Sequence, residues 1–192
     1  MLQTKILAIV AGVLSATASA GRSEGGKNGA KGHKPFTTHE YHKKILNQYV
    51  DIWGGNISLV NTTFAPEVTL YIDRFPTGSN GSVEIGPYIT NPASFAAFVE
   101  KTRSGLRQYD ISVKKWVGEG YGIAARWAIE IVLGDDFKNV PTTLKAGEYV
   151  TYNGTEYLTL DPCTGLVTEV ESAQDLISFL YNLGNDISLS PL

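Results

Sequence analysis

The stretch from Tyr121 to Gly134 (YGIAARWAIEIVLG) limits the fold more than any other part of the chain. Its length, β-branched content and flanking glycines predict one long strand, central in a sheet. Side chains alternate between faces along a strand. Ile123, Ala125, Trp127, Ile129 and Ile131 share one wholly apolar face. Gly122, Ala124, Arg126, Ala128, Glu130 and Val132 share the other, with one cation between two alanines. Arg126 therefore has two readings: an ion pair on a solvated face, or the floor of a pocket in which it meets an anion.

The 192 residues suit one domain with an extension. Residues 1–20 carry Lys5, an apolar run from Ile6 to Leu14 and the small-residue sequence Ala18-Ser19-Ala20. That pattern predicts a secretory signal peptide cleaved after Ala20, its apolar run too short to span a bilayer. No later stretch is apolar enough to cross a membrane, so the expected destination is secretion or the secretory lumen. Residues 21–34 hold no apolar side chain larger than alanine and read as a flexible leader. The folded domain is expected over residues 35–184, with 185–192 as a tail.

From Pro35 onward 11 Lys and Arg face 18 Asp and Glu, while the leader is basic. An acidic domain without a basic stripe argues against nucleic acid and anionic membranes as partners. Cys163 is the only cysteine, so the chain forms no internal disulfide. Four Asn-X-Ser/Thr sequons, at Asn56, Asn61, Asn80 and Asn153, are candidate N-glycan sites behind a signal peptide.

Thr37-x-x-Glu40 has the form of a capping box, and Tyr41, Ile45, Tyr49 and Trp53 recur at helical spacing until Gly54-Gly55. His39 and His42 lie one turn apart near its start and read as a solvated helix face. Asn56 opens a short second helix ended by Pro66. Glu67 to Asp73 alternates as a strand, and Arg74 to Thr90 reads as a long loop with a short β pairing at Val83 to Ile85. Asn91-Pro92 starts a helix that Gly105 closes. Strands are expected over Leu106 to Val117, the Arg126 stretch, Lys145 to Leu160 with a bend at Asn153-Gly154, and Leu166 to Ser172. Ala173 to Leu183 is the closing helix, with Leu176, Ile177, Phe179 and Leu180 inward. Helices on one face of a curled antiparallel sheet make an α+β layer design. No metal or organic cofactor is signalled.

This order, with four local words, resembles the SnoaL-like polyketide cyclases of the nuclear transport factor 2-like cone fold. The words are Tyr49 to Asn56, Phe64 to Tyr71, Ala125-Arg126-Trp127, and Thr164 to Glu171 followed by Asp175 to Gly184. The resemblance implies a curved antiparallel sheet with helices on its concave face. It also implies a homodimer packed sheet to sheet, here through Trp127 and its apolar face. Within that fold the site pattern resembles limonene-epoxide-hydrolase-type enzymes. Tyr71-x-Asp73 stands for their tyrosine–asparagine pair, Arg126 for their arginine and Glu171 for their last-strand aspartate. Ala128 occupies the place of their second carboxylate. The resemblance thus implies Arg126 and Glu171 as catalytic. Asp73 is expected on physical grounds to supply the acid missing at Ala128. The aromatic residues Trp53, Tyr71, Tyr109 and Trp127 are expected to line a pocket for a flat or conjugated apolar ligand.

Three functions are expected to compete. One is a cofactor-free enzyme of polyketide-type secondary metabolism that opens an epoxide or closes a ring. Another is an aldol-type cyclase in which Glu171 alone moves a proton. The third is a secreted protein that binds a small molecule, or another protein, without chemistry.

Overall fold

The computed structural model describes residues 36–73 and 87–187. The signal, leader, Asn80 and Val83–Ile85 expectations lie outside these residues.

Helix α1 (His39–Trp53) begins at Thr38, whose hydroxyl accepts a hydrogen bond from the Tyr41 amide at 3.2 Å. The cap is thus one residue later than the Thr37 box. Ile45, Leu46, Tyr49, Ile52 and Trp53 form its buried stripe. His42 corrects the solvated-face reading. It is fully buried and its Nε2 bonds the Gly120 carbonyl at 3.0 Å. Gly118 makes room for it, since a Cβ there would lie 2.2 Å from the ring. His39 instead stacks on Trp116, 4.6 Å between ring centres.

A 3₁₀ turn (Ile57–Leu59) and a single turn, α2 (Val60–Thr63), lead into β1 (Phe64–Ile72), where Val68, Leu70 and Ile72 are buried as the alternation requires. β2 (Pro87–Ile89) pairs antiparallel with β1. α3 (Pro92–Arg103) carries the expected cap: Asn91 accepts from the Ser94 amide, and Ser94 from the Asn91 amide. Then come β3 (Leu106–Glu119), β4 (Gly122–Leu133), β5 (Tyr149–Leu160) and β6 (Val167–Gln174). Helix α4 (Leu176–Asn182) is capped by Asp175, so Ala173 and Gln174 belong to the strand. Ile177 is exposed rather than inward.

The six strands form one sheet in the order β2-β1-β6-β5-β4-β3. It is mixed, not antiparallel, because β1 runs parallel to β6. β3 to β6 follow one another as antiparallel neighbours. β1 joins that run only through β2 and helix α3, and such a connection leaves its direction free. Residues from α1, α2 and α3 share a buried cluster with the odd-numbered face of β4. The α+β design with helices on the concave side stands.

That packing also corrects two further expectations. Trp127 is 3 % exposed and points into the core, so it cannot be a dimer face. Asn153-Gly154 is no bend; both residues lie within β5. Gly154 pairs with Trp127, and a Cβ there would come within 2.0 Å of the indole.

Candidate functional site

Among the described residues the concave face has one buried carboxylate, Glu156. On β5, Val150, Tyr152, Gly154, Glu156, Leu158 and Leu160 all point inward, and Glu156 is 5 % exposed. Its cross-strand partners are Ala125 on β4 and Ser172 on β6. The Ser172 hydroxyl donates to Glu156 Oε1 at 3.2 Å. The Tyr49 hydroxyl from α1 makes no aligned hydrogen bond, yet it stands close enough to favour the ionised carboxylate.

Burial dominates. Removed from water, the Glu156 carboxyl is pushed up to about 7, against the opposing pull of Tyr49 and Ser172. Desolvation likewise holds the phenols of Tyr49, Tyr109 and Tyr152 above their ordinary value. Those phenols stay protonated at neutral pH, while Glu156 exchanges a proton there.

Tyr49, Tyr109 and Tyr152 lie near enough to feel the charge of this carboxylate, and they pack on tryptophans. Trp53 stacks with Tyr109 at 6.5 Å, and Trp127 meets Tyr152 edge-on at 5.6 Å. The buried indole N–H of Trp127 bonds no acceptor among the described residues, whereas that of Trp53 stands close to the Tyr49 hydroxyl without an aligned hydrogen bond. An unpaired indole donor in the same interior as a buried acid suits a ligand that brings an oxygen acceptor. Each buried orphan is costly, and an occupant would relieve it.

The structure brings together only some of the residues predicted from sequence. Trp53 and Tyr109 lie in the aromatic interior. Tyr71, Asp73 and Glu171 meet, with Tyr157 and Glu169, in an open depression of about 540 Å³ on the outer side of the sheet, and Glu156 and Ser172 also contribute to its lining. Glu171 is exposed, and register sets it beside Tyr71 and Tyr157 on that outer side. Asp73 accepts from the Gln174 amide at 3.2 Å, a structural bond at the end of β1. Arg126 is exposed too, and donates to the Thr155 hydroxyl at 3.2 Å. Among the described residues it forms an ion pair with neither Asp73 nor Glu171. The expected buried Asp73–Arg126–Glu171 pocket is therefore not formed. Arg126 sits on the face that the helices leave open, as the solvated reading allowed.

Glu156 escaped the sequence reading, although its signal was present. It is in phase with Val150, Tyr152, Leu158 and Leu160 once β5 is taken as unbroken. Among the described residues no group of His, Cys, Asp and Glu side chains has the arrangement of a metal site.

No family model matches the chain, and no curated protein does. Solved structures do. A provisionally assigned SnoaL-like polyketide cyclase from Jannaschia sp. CCS1 matches at TM-score 0.60 and 15 % identity, over 82 % of this chain and 100 % of that one. A SnoaL-like polyketide cyclase from Agrobacterium tumefaciens matches at 0.55 and 15 %, over 74 % and 98 %. AclR of Streptomyces galilaeus, provisionally assigned as a hydroxylase, matches at 0.58 and 16 %, over 79 % and 86 %. At such identities the likeness shows the fold: the chain has the cone of the SnoaL-like polyketide cyclases. Proteins of that one shape bear different assignments, so the chemistry must be argued from the site.

Proposed function

We propose that this chain is a cofactor-free enzyme that closes a ring on an apolar, polyketide-like substrate, with Glu156 as its acid–base group. The observation that carries this reading is a carboxyl buried among Tyr49, Tyr109, Tyr152 and Ser172, its proton affinity raised by burial, in an interior that also holds the unpaired Trp127 indole N–H. Ionised Glu156 takes a proton from carbon flanked by two carbonyls, giving an enolate. That carbon attacks a second carbonyl of the same molecule, and the new alkoxide recovers the proton from Glu156. Atoms and charge balance without a further reactant. The Trp127 N–H group would steady an oxygen that gains charge. In this reading Glu156 takes the part that the sequence suggested for Glu171. Epoxide opening by Asp73, Arg126 and Glu171 draws no support from their placement.

Turnover of a β-polyketone in Glu156→Gln tests the reading. It should fall by about 10² or more, the usual scale of acid–base assistance, with the fold retained. Undiminished turnover would refute it. A protein that merely binds would show saturable binding without turnover in either form; that alternative rests on the same aromatic interior.

Secretion belongs to the same proposal. The mature chain should begin at Gly21, with glycans on Asn56 and Asn61, both exposed. Asn153 is half-buried within β5 and a poorer acceptor. N-terminal sequencing and glycosidase digestion of secreted protein would decide. The expected homodimer moves to the outer sheet face. There Lys115 and Arg126 are cross-strand neighbours at one side, and Glu169 and Glu171 lie at the other. None of the four has an ion-pair partner among the described residues. A two-fold axis between the groups would set each cation pair over the partner's carboxylates.

A further inference from the structure

Tyr109 borders two spaces. One side of its ring faces the interior at Trp53, and the other helps to line an open cleft of about 800 Å³ with Val50, Asn56, Arg103, Gln108 and Ile111. Arg103, from the last turn of α3, lies half-buried over this ring, 5.3 Å from its centre. Its Nη1 donates to the Trp53 carbonyl at 2.9 Å and to the Tyr109 carbonyl at 3.1 Å. The turn after α1 is shaped for it. Gly55 holds a φ of +107°, and a Cβ there would come 3.2 Å from Arg103 Nε.

These contacts fix the guanidinium but use only one of its nitrogens. Nε and Nη2 bond no described residue, and no carboxylate there forms an ion pair with Arg103. Arg107, on the same cleft, is by contrast paired with Asp135 at 2.9 Å. Asp51 and Asp110 also line the cleft, yet both are exposed, so water screens them more than it screens Arg103. A guanidinium held by two carbonyls, with one edge free, is preorganised for bidentate capture of a carboxylate.

We propose that Arg103 forms an anionic subsite at the mouth of the cone, which binds a carboxylate on a ligand whose apolar body enters past Tyr109. The subsite stands on its own geometry, and rests on the Glu156 reading only for where the rest of that ligand lies. The substrate class is then an apolar acid rather than a neutral polyketide.

Naphthalene-2-carboxylate and its methyl ester are suitable probes, read by quenching of tryptophan fluorescence at pH 6, where Glu156 carries its proton. The carboxylate should bind about tenfold more tightly than the ester, the scale of one charge-assisted pair. Arg103→Gln should abolish that preference, and Arg107→Gln should keep it. Arg103→Lys retains the charge without the fork and should keep part of it, which covers the case where the glutamine variant does not fold. Equal affinity of acid and ester for the unmodified protein, or a preference that survives Arg103→Gln, would overturn the subsite and leave Glu156 untouched. Arg103-dependent binding of the acid with no binding of the ester would sustain the subsite and remove the interior reading.

Discussion

A glutamate that gives up water for one serine hydroxyl and a nearby phenol is costly to ionise. Glu156 is in that position, with its carboxyl raised from an ordinary 4.5 to about 7. A raised folded-state value means that stability is fully present below about pH 4.5 and is lost as pH rises through 7. The difference corresponds to about 3 kcal/mol at most. Glu156→Gln should therefore flatten the loss of stability between those pH values and leave the variant more stable above pH 7. Urea unfolding at several pH values measures this; parallel stability curves would show that Glu156 is not isolated from water. The same titration should appear as a rising limb near pH 7 in kcat/KM, absent from the glutamine variant. Glu171→Gln, changing an exposed group on the other face, should leave turnover within about twofold of the parent, as surface substitutions usually do.

Strand β5 shows how an element sets a site. Its inward row works only because Gly154 lets the Trp127 indole lie flat across it, which keeps Tyr152 and Glu156 in phase on either side. Gly154→Ala would force the ring aside and should cost about 1–3 kcal/mol, the usual range for overpacking a core. Thermal unfolding with tryptophan fluorescence would report both the loss and the displaced ring. An unchanged melting temperature would mean that the indole has room to move. Helix α1 acts similarly at its two ends. His42 anchors the start under the β3–β4 turn, and Tyr49 and Trp53 reach the interior that holds Glu156 from the end.

Across the whole molecule, the two sheet faces divide the work. Among the described residues the concave face holds the aromatic core and one buried acid, whereas the outer face carries charges of both signs without ion-pair partners beside exposed Val117 and Tyr157. Dimerisation through that outer face predicts a charge-swap result. Arg126→Glu alone and Glu171→Arg alone should each weaken association, and the two together should restore it. Sedimentation velocity would read the outcome. A monomer at micromolar concentration in the unmodified protein, or dimers indifferent to both changes, would remove the proposal.

Local physics settled much of this before any packing was known. Alternation along β4 named its buried face, helical spacing put Tyr49 and Trp53 on one stripe, and Asn91-Pro92 marked the start of α3, because each depends on neighbours within a few residues. Tertiary structure decided which face the helices cover and therefore which charges are buried. Arg126, between two alanines, suits either a solvated face or a pocket floor, and only the helices' choice of the other face leaves it in water. Gly154 looked like a bend, because its reason is a tryptophan on a different strand. Once that glycine broke the period of β5, Glu156 lost its place among the inward residues. The direction of β1 beside β6 was undetermined for a related reason: no tight turn joins them, and the pairing is fixed only when the whole sheet closes over the helices.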